Sequence, residues 1–315
     1  MNLADLLAGA LIQGLIYTLV SFGVYITYSI LDFPDLGVDG TFPLGAAVTA
    51  VMLTHGVNPY LTLPLAMAAG ALAGLVTGLI HVRLRVRNLL AGIITMTALF
   101  SINLQIAGSN LTVERAVDTI FSAGPTVALL GSLTLTGRKL VVSAVLVIVV
   151  KIALDLYFKT KSGLLLRAVG DNAMLVTALA KDRGQVKILG LVIANALVAL
   201  GGCVVCHELR SFSSTMGTGQ LVYGLAAVII GISLFRFYEN SPLARALRKR
   251  KGLRWLGAPA GTTAVIAGSI LYKLCIQTAL SLSWFPANMM KFVTAVLFLL
   301  VLVLSGRKGE EIIHA

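Results

Sequence analysis

The sequence predicts an all-α fold, a polytopic bundle of transmembrane helices, and three observations carry that prediction. Hydrophobic residues make up 57% of the 315 residues and charged residues only 12%, against about 45–50% and 25% in soluble domains. The mean hydropathy is +0.92. Apolar runs of about 18 to 25 residues recur along the chain, matching the ~20 residues that a helix needs to cross a bilayer. A β-barrel is excluded, because the runs do not alternate polar and apolar positions. Residues 1–315 read as a single transmembrane domain.

The first run, Leu6 to Leu31, has no basic flank before it and is too long for the apolar core of a signal peptide, so it reads as a retained helix. The next, Thr41 to Leu53, has 13 residues. At 1.5 Å per residue it reaches roughly 20 Å, short of a hydrocarbon core of about 30 Å. The stretch before it, "LDFPDLGVDGTFP", carries two prolines, two glycines and three aspartates. Two readings stand. In one, part of residues 32–43 lies at membrane depth as broken, non-helical backbone, as found where backbone lines a cavity or is buried in protein. Alternatively, Pro34 and Gly37 stop and restart helices in an ordinary turn.

Further crossings follow at Tyr60 to Ile80, Leu89 to Ala107 and Leu140 to Phe158, and the later apolar runs bring the total to nine segments, the short one near 32–54 included. The net charge of +12 is gathered in four places. These are Arg83 to Arg87, Lys159 to Lys187, Arg236 to Arg254, and Arg307 with Lys308. Such clustering is a mark of topology rather than of nucleic-acid binding, and it places all four in the cytoplasm. Two crossings separate each pair of clusters, which puts the C-terminus inside and the N-terminus outside.

Few polar residues interrupt the runs. Lys151 and Asp155 are spaced i, i+4 and read as a local pair. Cys203 and Cys206 lie in an apolar helix and read as small buried thiols that allow close helix packing. His207, Glu208 and Arg210 read as a solvated rim. Asp32, Asp35 and Asp39 are the candidates for intramembrane chemistry. No serine–histidine–aspartate set, phosphate-binding glycine loop or HExxH occurs, so the chain reads as non-catalytic.

"TKSGLLLRAVGDNAMLVTALAKDRG", Thr160 to Gly184, spends about 25 residues between two crossings, more than a plain connection needs. Gly163 is expected to break the preceding helix. Gly170-Asp171-Asn172 supplies turn and cap chemistry before a short helix from Ala173 to Ala180. Its apolar face suits either lipid headgroups or a groove on a soluble partner.

At three places the sequence resembles the membrane permeases of ABC importers of the branched-chain amino acid and ribose type. The loop just quoted is similar to that family's cytoplasmic loop, with Thr160, Gly163, Arg167, Ala168, Gly170, Asn172 and Ala178 at matching places. "MGTGQLVYGLAAVIIGISLF" matches a later helix through Gly217, Ala226, Ala227 and Gly231, although Ile232 stands where the family often has a second glycine. "LDFPDLGVDGTFPLGAAVTA" matches through Asp35, Leu36, Gly40 and Leu44 to Ala47. Weaker support comes from "NLLAGIITMTALFSINLQIAG".

The resemblance implies a transport role in a bacterial plasma membrane. It makes residues 159–184 a loop that couples to a cytoplasmic ABC ATPase, through Gly163, Arg167, Ala168, Gly170, Asn172 and Ala178. It sets Asp35, Gly37, Asp39 and Gly40 beside the translocation path. It also implies an extracytoplasmic binding protein, a second permease copy in a homodimer, and no cofactor on this chain, with ATP and Mg on the partner ATPase. An amino acid or similar small polar molecule is the expected substrate. The competing class is an ion-coupled secondary transporter, which needs acidic or histidine side chains deep in its helices.

Overall fold

The computed structural model describes residues 3–171, 182–240 and 261–281, with residues 292, 294–296, 298, 299 and 303 beyond them. In chain order the helices are α1 (Leu3–Val24), continued by a π-helical turn at Tyr25–Ile30, then α2 (Val38–Thr54), α3 (Pro59–Arg83) and α4 (Asn88–Ala107). Next come α5 (Gly124–Leu130), α6 (Leu135–Tyr157) and α7 (Lys161–Asp171). The last are α8 (Arg183–Leu209), α9 (Gln220–Asn240) and α10 (Gly261–Ser281). Two short strands, β1 (Asn110–Thr112) and β2 (Ser211–Ser213), pair antiparallel with Leu111 opposite Phe212.

Six helical segments among the described residues are long and apolar enough to cross a membrane, namely Leu6–Ile30, Pro59–Arg83, Asn88–Ala107, Leu135–Tyr157, Arg183–Leu209 and Gln220–Tyr238. The chain is therefore a multi-pass membrane protein. To these the structure adds the shorter α2, of 17 residues, and α10, of 21. The last segment expected from the sequence falls mostly outside the described residues.

The helices pack around α2 and α8, the most enclosed elements. Small residues make this possible, since helices in lipid associate by close packing rather than by hydrophobic burial from water. A side chain at Gly45 would collide with the backbone of Ala199, and one at Gly202 with the carbonyl of Phe42. Gly70 and Gly74 of α3 in turn meet the carbonyls of Asn195 and Leu191. The register of these contacts fixes directions. Thr62 lies beside His207 and Val82 beside Gly184, so α3 runs antiparallel to α8. Thr41 pairs with Asn195 and Gly45 with Ala199, so α2 runs parallel to it.

One end of the bundle consequently gathers the Arg83–Arg87 connection, the start of α8 and α7. The β1–β2 pair closes the other. Arg210, left-handed at φ 54°, locks that second end by donating to the carbonyls of Glu114 (3.0 Å) and Val117 (2.6 Å).

Several local expectations change. The short crossing begins at Val38 rather than Thr41, because Gly37 serves as the helix cap and Pro43 is accommodated inside the helix. The proline removes the intrahelical donor to the carbonyl of Asp39, and Gly217 packs against that carbonyl. Gly163 does not break α6, which ends at Tyr157. It lies in the first turn of α7, against the carbonyl of Tyr157, where only a glycine leaves room. Gly170 and Asp171 are helical rather than a turn.

His207 is not part of a solvated rim. It is 1% exposed, and its Nε2 lies 2.8 Å from the hydroxyl of Thr62. Glu208 pairs with Lys139 at 3.3 Å. The local pair of Lys151 and Asp155 is present at 2.6 Å, and Asp155 also accepts from Thr262 at 2.6 Å. Cys203 and Cys206 are buried in α8 as free thiols.

Candidate functional site: the interrupted segment and the start of α2

After the π-helical turn the chain leaves helical geometry. Asp32 takes φ 50°, and residues 31–37 run without helix until Val38. This stretch is enclosed by protein: Leu31, Phe33 and Asp35 are buried, and Phe33 meets the His81 ring edge-on at 5.0 Å. Irregular backbone inside a membrane protein requires such cover, because its polar groups find no water in the hydrocarbon. Side chains supply part of the missing hydrogen bonding.

Asp35, 0% exposed, accepts from the amide of Gly37 (2.8 Å) with one oxygen and from Nδ2 of Asn195 (2.9 Å) with the other. Asn195 in turn accepts from the hydroxyl of Thr41 (2.8 Å). This closed chain of bonds pins the interruption to α8. On α4, Gly92 makes room for the Leu36 amide and the Asp35 carboxylate, and Nδ2 of Asn103 donates to the carbonyl of Gly40 at 3.1 Å. Gly40 packs against Met96 and Leu99, about midway along α4, so α2 starts deep within the bundle.

Asp39 does different work. It stands in the first turn of α2, and its two oxygens accept from the amides of Gly219 (2.9 Å) and Leu221 (2.8 Å) at the start of α9. One carboxylate thus sits at two helix N-termini, where unpaired amides and the helix dipole favour negative charge.

α7 lies against the other side of the interruption. Gly170 meets the carbonyl of Ile30, while Leu166 and Leu31 converge on Gly190. Arg167 stands 4.9 Å over the Phe158 ring. It lines a cavity of about 590 Å³ with Tyr25, Ser29, Asp155 and Lys159. Ala168 is half-buried and Gly163 fully buried. Asn172 and Ala178, and the expected helix from Ala173 to Ala180, lie outside the described residues.

The structure therefore joins Asp35, Gly37, Asp39 and Gly40 into one junction among α2, α4, α8 and α9. Gly163, Arg167, Ala168 and Gly170 lie on the neighbouring α7.

A model for the family described as "Branched-chain amino acid transport system / permease component" matches residues 6–302. The chain belongs to this permease family. The permease is 36% identical over 287 residues to a tyrosine transport system permease protein of Clostridioides difficile, covering 91% of this chain and 87% of the relative. It is 29% identical over 203 residues to a probable branched-chain amino acid transport permease protein of Methanocaldococcus jannaschii, covering 62% of this chain and 64% of the relative. A ribose import permease protein of Haemophilus influenzae is 26% identical over 198 residues, 62% of this chain and 59% of the relative. No solved structure matches the chain.

Sequence reasoning missed one buried ionisable group of the permease. Lys273 of α10 is 7% exposed, and its ammonium lies 3.8 Å from the centroid of the Tyr17 ring and 5.3 Å from that of Tyr223. The rule that singled out the aspartates, an ionisable side chain within an apolar run, applies equally to "GSILYKLCIQT".

Proposed function

We propose that this permease forms the translocation path of an ABC importer for an amino acid or similar small polar molecule. The observation that carries this reading is the family match over residues 6–302, joined to a relative named for tyrosine transport that aligns over nearly the whole chain. ATP binding and hydrolysis belong to a separate cytoplasmic ATPase, substrate arrives from an extracytoplasmic binding protein, and two permease copies form the pore. The basic end of the bundle, with α7, faces the cytoplasm. That orientation leaves the N-terminus outside and the C-terminus inside.

In this reading the ATPase acts on residues 159–184, and α7 passes the displacement to Ile30 and Leu31, which lead into the Asp35–Asp39 junction. Asp35, Gly37, Asp39 and Gly40 border the path. Two packings of α9 relative to α2, biased by the nucleotide state of the ATPase, would expose substrate to one side and then the other. The ion-coupled alternative is disfavoured, because Asp35 and Asp39 already have both oxygens engaged by protein donors.

The test is co-purification. Ala178→Arg should abolish recovery of the ATPase with the affinity-tagged permease while leaving its abundance in the membrane unchanged. Full recovery of the ATPase with the variant would refute the assigned coupling loop.

A further inference from the structure

We propose that Lys273, Tyr17, Tyr223 and Gln220 form a site, within the helix bundle, for the carboxylate and ring of an aromatic amino acid in transit. The inference rests on the reading of the chain as an amino-acid permease and names the substrate class and the group that recognises it.

A lysine within an apolar helix is costly, and such residues persist where they serve a path or find a partner. Lys273 stands eight residues before Ser281 in an apolar helix and is 7% exposed. Among the described residues no carboxylate lies within ion-pair distance of it. The two ion pairs there are Lys139–Glu208 and Lys151–Asp155. What surrounds the ammonium is aromatic faces, which attract a cation without neutralising it. An anion would complete the site.

A second buried group points the same way. Gln220, 9% exposed, opens α9 and donates its amide N–H to the carbonyl of Met216 (2.9 Å). Its side chain neighbours Tyr17, yet its Oε1 is buried without a hydrogen-bond partner. Buried polar atoms without partners are rare in native proteins. A cation over the Tyr17 ring and an unfilled acceptor at the start of α9 thus belong to two side chains that both neighbour Tyr17. An α-amino acid carries the complementary pair, a carboxylate for Lys273 and an ammonium for Gln220.

The rings define the remainder of the ligand. Tyr17 lies 4.9 Å from Tyr223 and 5.9 Å from Phe42, and Tyr223 lies 5.2 Å from Tyr272, all centroid to centroid. These rings already touch one another, so the ligand ring enters when α9 moves away and takes the place of one of these contacts, at the about 4.5–7 Å that such groups prefer. A neutral sugar offers the ammonium no countercharge. The site also touches the moving parts, because the amide of Leu221, next to Gln220, is held by Asp39, and Gly219 takes φ 88° just before α9. A displacement of α9 would part Tyr223 and Gln220 from Tyr17 and Lys273.

The test is uptake of radiolabelled L-tyrosine by cells expressing the permease with its partner proteins. With the wild type, excess unlabelled L-phenylalanine should suppress uptake and tyramine, which lacks the carboxylate, should not. Lys273→Met should lower uptake at least tenfold at unchanged membrane abundance, and Lys273→Arg should retain a substantial part of it. Gln220→Leu, which removes the unfilled acceptor together with the amide that donates to Met216, should lower uptake severalfold and covers the case in which Lys273→Met fails to accumulate. Wild-type uptake of L-tyrosine with undiminished uptake by Lys273→Met or by Gln220→Leu would overturn the site but leave the permease reading intact. Absence of ATP-dependent amino-acid uptake by the wild type would overturn both.

Discussion

Two regions of the bundle hold their helices together in different ways. Around α2, α3 and α8, backbone meets backbone: Gly45, Gly70, Gly74 and Gly202 each leave no room for a side chain. Around α1, α9 and α10, close packing holds only part of the length. Gly231 and Gly268 bring α9 and α10 together toward the basic end. Toward the sheet end α1 and α10 still meet closely at Gly14 and Ile270, while the contact of α9 with them passes to Tyr17, Tyr223, Tyr272 and the ammonium of Lys273. The first region is therefore the frame, since any sliding there drives atoms into carbonyls. The second is pinned at one end and held by rings and a charge at the other, the arrangement expected of a part that rocks. Asp39 is the joint between them, standing on α2 and binding the first amides of α9.

The largest effect should come from breaking the frame. Gly202→Leu places a side chain against the carbonyl of Phe42 and should reduce the folded permease recovered from membranes at least tenfold. Gly9→Leu, with nothing within 4 Å of its added Cβ, should leave recovery unchanged. Equal recovery of the two variants would remove the distinction between frame and moving part.

A smaller loss follows from Asn195→Leu, which strips a donor from the buried Asp35 and an acceptor from Thr41. Leaving a buried charged group short of its hydrogen bond costs on the order of 3 kcal/mol. A thermal aggregation assay in detergent should show a clear fall in midpoint, whereas the exposed Asp32→Asn should show none.

The smallest effect on stability belongs to the joint. Asp39→Asn keeps the shape of the side chain but removes a charge at two helix N-termini, an interaction of about 1 kcal/mol. Membrane abundance should stay near normal while transport falls by more than half. Normal transport by this variant would reassign Asp39 to the frame.

Much of this was legible in the sequence, for physical reasons that differ by element. Apolar runs longer than a bilayer is thick are almost unambiguous, so the long crossings were read close to their observed places. The deficit of Thr41–Leu53 correctly marked a defect before it, because 13 residues cannot reach across. The boundary was misplaced because Pro43 reads as a breaker, although a neighbouring helix in a bundle can fill the gap that it opens. Gly163 and Gly170 were misread as breakers for a related reason: a glycine inside a helix is cheap when another backbone needs the space. His207 looked like rim because it follows an apolar run, and only the approach of Thr62 from α3 shows it enclosed. Lys273 was overlooked although its signal, a lone cation among apolar residues, was as plain as that of the aspartates. Which residues meet Asp35 and Asp39 was not legible at all, since Asn195 and Gly219 lie about 160 and 180 residues away.

The central claim, that this permease works as the membrane part of an ATP-driven importer, is tested most directly by separating its energy sources. Cells expressing it with its partner proteins should lose uptake of labelled L-tyrosine when ATP is depleted with the proton gradient maintained. They should keep that uptake when ionophores collapse the proton and sodium gradients at constant ATP. Uptake that survives ATP depletion and vanishes with the ionophores would contradict the account and identify an ion-coupled transporter.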